Sequence, residues 1–404
     1  MSDIDTEECK NNISFYQGSE FLGGDSPLEA IKQKIAEFSN VKNVSFLLGA
    51  GTSSDSIPSM KAMHKEISVE IDSSIELDES SKKLYLNVEK NNLEDALNVL
   101  YARKHCLEGL ADTTEEEQES VDSLIKYIED KMFSKINIDL TQESATKTLE
   151  IYKQLYQKVA LRNKDISRIN VFTTNNDLFN EKALDNLNIN FNNGFGGGLE
   201  RVFNPARFHY TFSKKIDANL EKFEPLENMV YLYKLHGSIS WFEIEGNSLF
   251  NIQEVPVPSE SKKTDSDHVL IYPTPLKQSQ SLGSPYSDLI REFQTKLAQN
   301  NSVLFIIGYS FSDEHLNNII YQSMASNSSI SIMIFGEYSD CPLVKIKDSR
   351  IYRVYGELEN NEKIHYFKYI VENLLPNLDE NKEKALLDRF VVALKTATDN
   401  GSVT

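Results

Sequence analysis

The chain has 404 residues, of which 40% are hydrophobic and 25% charged, the balance of an ordinary globular protein with no apolar run long enough to cross a bilayer. Acidic residues number 61 against 42 basic ones, and the formal charge of −19 argues against direct binding to nucleic acid, although not against a basic protein partner. The three cysteines (Cys9, Cys106 and Cys341) are scattered and the polar N-terminus is not a secretory signal, so we expect a cytoplasmic protein in which no cysteine-based zinc site can form.

The first part of the sequence predicts an arm, a helix and a buried strand. Residues 1–26 are predicted to form a loosely ordered N-terminal arm. A helix should follow, because Ser26 suits the N-cap, a proline comes next and Glu29 would complete a capping box. The apolar stretch at 43–49 (NVSFLLG) is typical of a strand buried on both faces of a parallel sheet.

The loop after this strand is the first candidate ligand site. It contains two glycines and two hydroxyl residues in the run Gly49, Ala50, Gly51, Thr52 and Ser53. A strand that leads through glycines into a helix presents backbone N–H groups to an anion such as a pyrophosphate. The loop lacks the P-loop lysine, and Ser54 replaces the third glycine of the dinucleotide fingerprint. Glycines also serve tight turns for steric reasons, so this pattern alone leaves nucleotide binding and simple packing both open.

Residues from about 60 to 165 are predicted to form a helical insertion. Leu93, Ala96, Leu97 and Leu100 recur at the spacing of one helical face. The charge-rich stretch at 111–122 is predicted to be a solvated loop between helices.

Beyond residue 165, strand-like and helix-like stretches alternate. This order predicts an α/β protein with a Rossmann-like, doubly wound parallel sheet and a helical insertion module. The main domain would span residues 27–360, and a helical tail would span 361–404. Strand-like runs occupy 168–174, 187–191, 229–237, 269–274, 302–310, 329–336 and 351–356, and helices are predicted at 287–299 and 313–325.

Three of these later strands end in polar residues. Asn175 and Asp177 follow one strand and His236 follows another, while Gly308, Ser310 and Asp313 follow a third. Side chains at the carboxyl ends of parallel strands face the ligand crevice of an open α/β sheet. The alternatives are helix N-caps for the asparagine, serine and aspartate residues, and a structural role for the histidine. The other six histidines are interpreted as structural or surface residues.

Taken in order, these segments resemble the signatures of the sirtuin family. The motifs are GAGTSS followed by Ile-Pro, then TTNND, KLHGS and GYSFSDEHL. The sequence is most similar to bacterial sirtuin-like proteins of antiphage defence, with which it shares NGF at 193–195, YPT near PY, and the GYSFSD form. The resemblance covers roughly residues 30–340.

The resemblance implies that NAD is the ligand and assigns roles to the candidate residues. Asn175, Asp177 and His236 would be catalytic, with His236 as the base. Residues 49–53 would wrap the pyrophosphate, and Gly308, Ser310 and Asp313 would bind the adenosine side.

Two departures from the family bear on the reaction. Protein-deacylating sirtuins usually carry a four-cysteine zinc module, whereas this chain has the helical insertion instead. Both changes favour water as the acceptor and hence an NAD glycohydrolase without zinc. A protein deacylase and a non-catalytic scaffold that senses NAD or ADP-ribose remain the alternatives.

The family resemblance also suggests how such an activity would be controlled. In its compact size, this chain resembles the sirtuin-like proteins that are paired with a HerA-type hexameric ATPase. A ring-shaped partner of this kind implies that the protein is itself a homo-oligomer. NAD depletion gated by that partner would act as an abortive-infection defence.

Overall fold

The computed structural model of the chain describes residues 12–88, 93–110, 114–163, 165–217, 221–244, 252–256, 268–270 and 285–376. The YPT motif at 272–274 and the part of the predicted tail beyond 376 lie outside the described residues.

Strands and short antiparallel ribbons account for much of the described chain. In chain order they are β1 (Asn12–Gln17), β2 (Glu20–Phe21), β3 (Asn43–Leu48), β4 (Ile169–Thr173), β5 (Asn190–Asn192), β6 (Phe195–Gly196), β7 (Arg201–Phe203), β8 (Ser213–Lys215), β9 (Phe223–Pro225), β10 (Met229–Lys234), β11 (Gly237–Glu243), β12 (Ile252–Glu254), β13 (His268–Leu270), β14 (Ser302–Ile307), β15 (Ile330–Phe335) and β16 (Ile351–Glu357).

Helices precede, separate and follow these strands. They are α1 (Pro27–Ser39), α2 (Met60–Ser73), α3 (Glu79–Val88), α4 (Leu93–Gly109), α5 (Glu115–Ile136), α6 (Glu143–Val159), α7 (Phe179–Asn186), α8 (Tyr286–Leu297), α9 (Glu314–Ser326), α10 (Pro342–Lys345) and α11 (Phe367–Tyr369), with a π-helical turn at Ile370–Leu374. None of the described helices combines the length and the apolar character that a membrane span requires.

A nine-stranded sheet forms the centre of the molecule, with the strand order β2-β1-β16-β15-β14-β3-β4-β10-β5. Neighbours from β16 to β5 pair in parallel, whereas β1 runs antiparallel to β16 and to β2. Strands β3 and β14 are buried along their whole length, as central strands of a parallel sheet should be. The predicted α/β, Rossmann-like fold is confirmed.

Helices cover both faces of this sheet. Phe46 and Leu48 of β3 pack into a hydrophobic cluster with residues of α1, α6 and α7. Leu47, which lies between them, packs into a second cluster with residues of α8 and α9. Because successive side chains of a strand point to opposite faces, the two clusters lie on opposite sides of the sheet.

Helices α2 to α5 form a unit with a hydrophobic core of its own, which we call the helical module (residues 60–136). Its buried side chains include Ile67, Leu97 and Leu124. Helix α6 instead buries Tyr152 and Leu155 in the cluster on one face of the central sheet. The module is therefore shorter than the predicted insertion at 60–165, because α6 belongs to the layer that covers the sheet.

The first described residues differ from the prediction of a loosely ordered arm. Residues 12–21 form β1 and β2, and Asn12 of β1 pairs with Glu357 at the end of β16. Ile13 and Phe15 are buried in the core. The strand forms because the far end of the chain supplies a partner edge. The domain boundaries at residues 27 and 360 remain a prediction.

Two helix starts also differ from the sequence interpretation. Ser26 occupies the N-cap of α1, but its side chain makes no capping hydrogen bond, and Glu29 binds Lys32 at 3.1 Å instead of closing a capping box. Helix α5 begins inside the stretch predicted to be a loop, with Thr114 as its N-cap. Three glutamates in its first turn are favourable there, because the helix N-terminus carries partial positive charge.

A second, antiparallel sheet has the order β13-β11-β12-β7-β6. Its strand β11 begins at Gly237, directly after His236, and this strand was not predicted. The turn at His236 therefore connects the parallel sheet to the antiparallel one.

Candidate active site

The carboxyl ends of the parallel strands open into a cavity of about 910 Å³. This volume lies within the range of roughly 300–1,000 Å³ that is usual for small-molecule sites. Of the predicted site residues, those that line the cavity are Ala50, Gly51, Thr52, Ser53, Asn175, Asp177, His236, Gly308, Ser310 and Asp313. The helical module contributes Met60, Met63, Met132 and Ile136 to the wall, and the segment at 362–369 contributes a further part.

The two glycine-containing loops pack directly on each other. The Gly51 N–H donates to the carbonyl of Gly308 at 2.9 Å, and a Cβ on Gly49 would lie 2.5 Å from that same carbonyl oxygen. Gly308 has φ of +66°, and a Cβ there would lie 2.7 Å from the backbone nitrogen of Thr52. Packing therefore requires glycine at these positions, and Gly49 lies behind the loop rather than in the cavity wall. The backbone N–H groups of Gly51, Thr52 and Ser53 donate to the carbonyls of Gly308, Gly49 and Ala50, so these three groups are used inside the protein and are not presented to an anion.

Asn175 is held in one orientation by the loop that follows β3. Its side-chain Nδ2 donates to Thr52 Oγ1 at 3.1 Å and to Ser53 Oγ at 3.2 Å. The Thr52 hydroxyl itself donates to the carbonyl of Gly49, and the Ser53 hydroxyl donates to Asp177. Both protons of the amide nitrogen are therefore used, so what Asn175 can offer a ligand in the cavity is the hydrogen-bond acceptor Oδ1.

His236 and Asp313 form a pair across the cavity. His236 Nε2 lies 2.9 Å from Asp313 Oδ2, and both side chains are largely buried. Asp313 Oδ1 accepts from the backbone N–H groups of His315 and Leu316, so Asp313 is also the N-cap of α9. A helix N-terminus favours a negative charge on its capping carboxylate. Because an ionised carboxylate only accepts hydrogen bonds, this contact favours the tautomer of His236 that carries its proton on Nε2.

Asp177 has both carboxylate oxygens engaged inside the protein. One accepts from the Ser53 hydroxyl at 2.8 Å, and the other accepts from the backbone N–H of Phe179 at 3.1 Å. Burial raises the pKa of Asp177. The geometry gives Asp177 a part in holding the loop, but Asp177 is not an N-cap: Leu178 occupies that position of α7 and makes no side-chain capping hydrogen bond.

A buried ion pair lies next to this loop. Lys234 is 1% exposed, its Nζ lies 3.0 Å from Glu181 Oε1, and it also donates to the backbone carbonyls of Asn176 and Asp177. Burial raises the pKa of Glu181. Asn176 in turn donates to the carbonyl of His236 at 2.7 Å. These contacts connect the loop after β4 to the turn after β10.

Ser310 was predicted to bind the ligand, whereas Lys234 and Tyr152 were not singled out from the sequence. Ser310 is exposed, and its hydroxyl lies 2.9 Å from that of Ser312. Lys234 is the first residue of the KLHGS motif, but the sequence does not predict that this lysine is buried. Tyr152 contacts Thr52 and Ser53 from α6, and no sequence signal distinguishes it from the other apolar-face residues of that helix.

No group of three or more histidine, cysteine, aspartate or glutamate side chains among the described residues is placed to hold a metal ion. The expectation that the protein contains no zinc depends on its cysteine count and remains a prediction.

Comparison with known proteins gives one family match and several distant structural neighbours. A family model described as the SIR2-like domain matches residues 169–366, slightly less than half of the chain. No curated protein matches the sequence.

The structural neighbours include mutants of a Sir2 homologue in complex with ADP-ribose. A serine-to-alanine mutant is 11% identical with a TM-score of 0.40, covering 87% of this chain and 97% of its own. A histidine-to-asparagine mutant is 13% identical with a TM-score of 0.38, covering 88% and 97% of the two chains.

Proposed function

We propose that this protein is an NAD glycohydrolase, which cleaves NAD with water into nicotinamide and ADP-ribose. The observation that carries the proposal is that the loops after β3, β4, β10 and β14, which bear the sirtuin-like motifs, meet at one cavity. There they present an oriented asparagine amide and a histidine–aspartate pair. The SIR2-like match supports the proposal, because it spans Asn175, His236 and Gly308.

In this proposal NAD lies along the carboxyl edge of the sheet. The pyrophosphate lies against the loop at residues 50–53, which forms part of the cavity wall, and the adenosine side extends towards Gly308 and Ser310. The nicotinamide riboside then reaches Asn175 and His236. Asp313, which was predicted on the adenosine side, acts instead through its contact with His236.

The reaction breaks the bond between the ribose C1′ and the nicotinamide nitrogen, with oxocarbenium character at C1′. Nicotinamide leaves as a neutral molecule, so the leaving group needs no proton. Asn175 Oδ1 accepts a hydrogen bond from a ribose hydroxyl or from the attacking water and thereby orients it. The water oxygen forms the new bond to C1′, and its proton passes to His236, directly or through a ribose hydroxyl.

The shape of the cavity favours water over a peptide as the acceptor. The wall of methionine and isoleucine side chains from the helical module stands where the sequence has the insertion in place of a zinc module. Apolar side chains of this kind supply no hydrogen-bonding groups to an extended peptide, which binds through main-chain hydrogen bonds.

In the cell, we propose that NAD depletion serves as an abortive-infection defence against phage in the cytoplasm. A constitutive NAD hydrolase would harm its host, so a partner must gate the activity. A HerA-type hexameric ATPase is the proposed partner, and this protein would then be a homo-oligomer. The charge of −19 suits a basic docking surface.

Incubation of the purified protein with NAD and no peptide tests the activity. Nicotinamide and ADP-ribose should appear, and Asn175→Ala and His236→Ala should each slow their release by at least ~10²-fold. Nicotinamide release only in the presence of an acetyl-lysine peptide would identify a deacylase. A folded His236→Ala variant with the parent rate would refute the assignment.

The partner is tested separately by sedimentation and co-expression. A strict monomer at micromolar concentration, or failure to co-purify with the ATPase, would contradict the proposed assembly while leaving the hydrolase activity untouched.

A further inference from the structure

We infer that Tyr152 is a positioning residue of this site: its hydroxyl fixes the two side chains that orient the amide of Asn175. The inference concerns geometry, and only its effect on turnover rests on the proposed function.

Tyr152 is a rigid anchor in α6. It is fully buried, and its ring stacks on Phe179 with centroids 5.5 Å apart and contacts Phe367 at 4.9 Å. Its hydroxyl oxygen lies 2.7 Å from Thr52 Oγ1 and 3.0 Å from Ser53 Oγ. A ring held on two sides leaves its hydroxyl little freedom to move, so the contact ties the loop after β3 to the helical layer.

The distribution of protons shows why this tie matters. Thr52 gives its proton to Gly49 and Ser53 gives its proton to Asp177, so both hydroxyl oxygens act as acceptors towards their other neighbours. Burial raises the pKa of Tyr152, so its hydroxyl keeps its proton and donates. The single proton of the Tyr152 hydroxyl goes to one of these two oxygens, of which Thr52 Oγ1 is the nearer, and Asn175 donates to both from the other side.

Loss of the tyrosine hydroxyl would free this arrangement. Thr52 and Ser53 would then be held only by their bonds to Gly49 and Asp177, and each would rotate about χ1 more often, away from the position in which it accepts from Asn175. The Asn175 amide would then sample several orientations, and Oδ1 would be placed to accept from a ligand only part of the time. Tyr152→Phe is the appropriate change, because the ring and its stacking contacts remain.

Tyr156 offers a matched control on the same helix. It is also fully buried, but its hydroxyl donates to Asn180 Oδ1 at 2.6 Å and does not contact the loop. Tyr156→Phe removes the same group from the same layer and should leave Asn175 unaffected.

The first measurement needs no enzymatic activity. In protein labelled with ¹⁵N-asparagine, the side-chain amide signal of Asn175 is identified by its absence in Asn175→Ala. Its hydrogen exchange should be about tenfold faster in Tyr152→Phe, the worth of one buried hydrogen bond, and unchanged in Tyr156→Phe. If Tyr152→Phe fails to fold by circular dichroism, Phe367→Leu tests the same tie, because it loosens the ring of Tyr152 and leaves both hydrogen-bond acceptors of Asn175 in place. Unchanged exchange in the folded variant would overturn the inference.

The second measurement is steady-state NAD hydrolysis. For Tyr152→Phe we expect kcat to fall about tenfold while KM changes by less than about twofold, because orientation is lost and binding is not. Faster amide exchange with an unchanged kcat would overturn the role in positioning. A parent protein that consumes no NAD would refute the proposed function, and the exchange measurement would still decide the role of Tyr152.

Discussion

Replacement of Asp313 by asparagine tests the histidine–aspartate pair. Asp313→Asn keeps the size of the side chain, and asparagine is as good an N-cap as aspartate. The amide cannot serve both partners, however. If its oxygen caps α9, its NH₂ group faces the Nε2–H of His236, and two donors meet at 2.9 Å. His236 must then move or change its tautomer.

The expected loss follows from the burial of the pair. The side chains of His236 and Asp313 are 16% and 9% exposed, so solvent screens their contact weakly. A hydrogen bond to a charged group contributes about 1.5–3 kcal/mol. A loss of about 2 kcal/mol in the transition state corresponds to a fall of about 30-fold in kcat. The free energy of unfolding should fall by about 1.5–3 kcal/mol as well, because the same buried hydrogen bond stabilises the folded state, although the cap is retained.

The assay is nicotinamide release at saturating NAD, with thermal unfolding followed by circular dichroism. Asp288→Asn is a suitable control, since Asp288 also lies in the first turn of a helix but pairs with Arg291 and is absent from the cavity wall. It should keep kcat within about twofold of the parent. If Asp313→Asn also stayed within that range while His236→Ala was inactive, Asp313 would not orient the base.

Three other properties can be predicted. Lys234→Met should lower the free energy of unfolding by about 3–5 kcal/mol in denaturant titrations, because it leaves Glu181 buried and unpaired. Adding Glu181→Gln to this variant should recover a large part of the lost stability. Equal stability of the single and double variants would contradict this explanation. Burial and the charge of Lys363 lower the pKa of His365 below its ordinary 6.5, so the unfolded chain binds more protons and stability should fall as the pH drops through 6.5. His365→Gln should flatten that dependence in pH-resolved melting curves, whereas the exposed His209→Gln should not. Elemental analysis should find no stoichiometric zinc, and finding it would require histidine or carboxylate ligands.

The loops of the site could be predicted from sequence because their chemistry is local. An apolar run such as β3 followed by Gly49 and Gly51 identifies both a buried strand and the end that faces a ligand. The same reasoning places Asn175 and His236 at neighbouring strand ends. The glycines were ambiguous from sequence, and the structure gives them a packing role, because Gly308 lies directly against Gly49 and Gly51.

Contacts between distant segments could not be predicted. His236 follows β10 and Asp313 follows β14, and these strands are separated in the sheet by β3 and β4. Their contact depends on how two loops cross the edge of the sheet. Strand β1 likewise forms because it can pair with the edge of β16, and the sequence of Asn12–Gln17 does not predict that partner.

The independent core of the helical module has an evolutionary consequence. A unit that buries its own apolar residues needs few packing contacts with the domain into which it is inserted. A long insertion in a surface connection also costs little in chain entropy. The module enters the chain beyond Ser53 and leaves it before α6, yet Met60, Met63 and Met132 form part of the cavity wall. Recombination can therefore exchange this part of the wall while the loops that carry Asn175 and His236 stay the same.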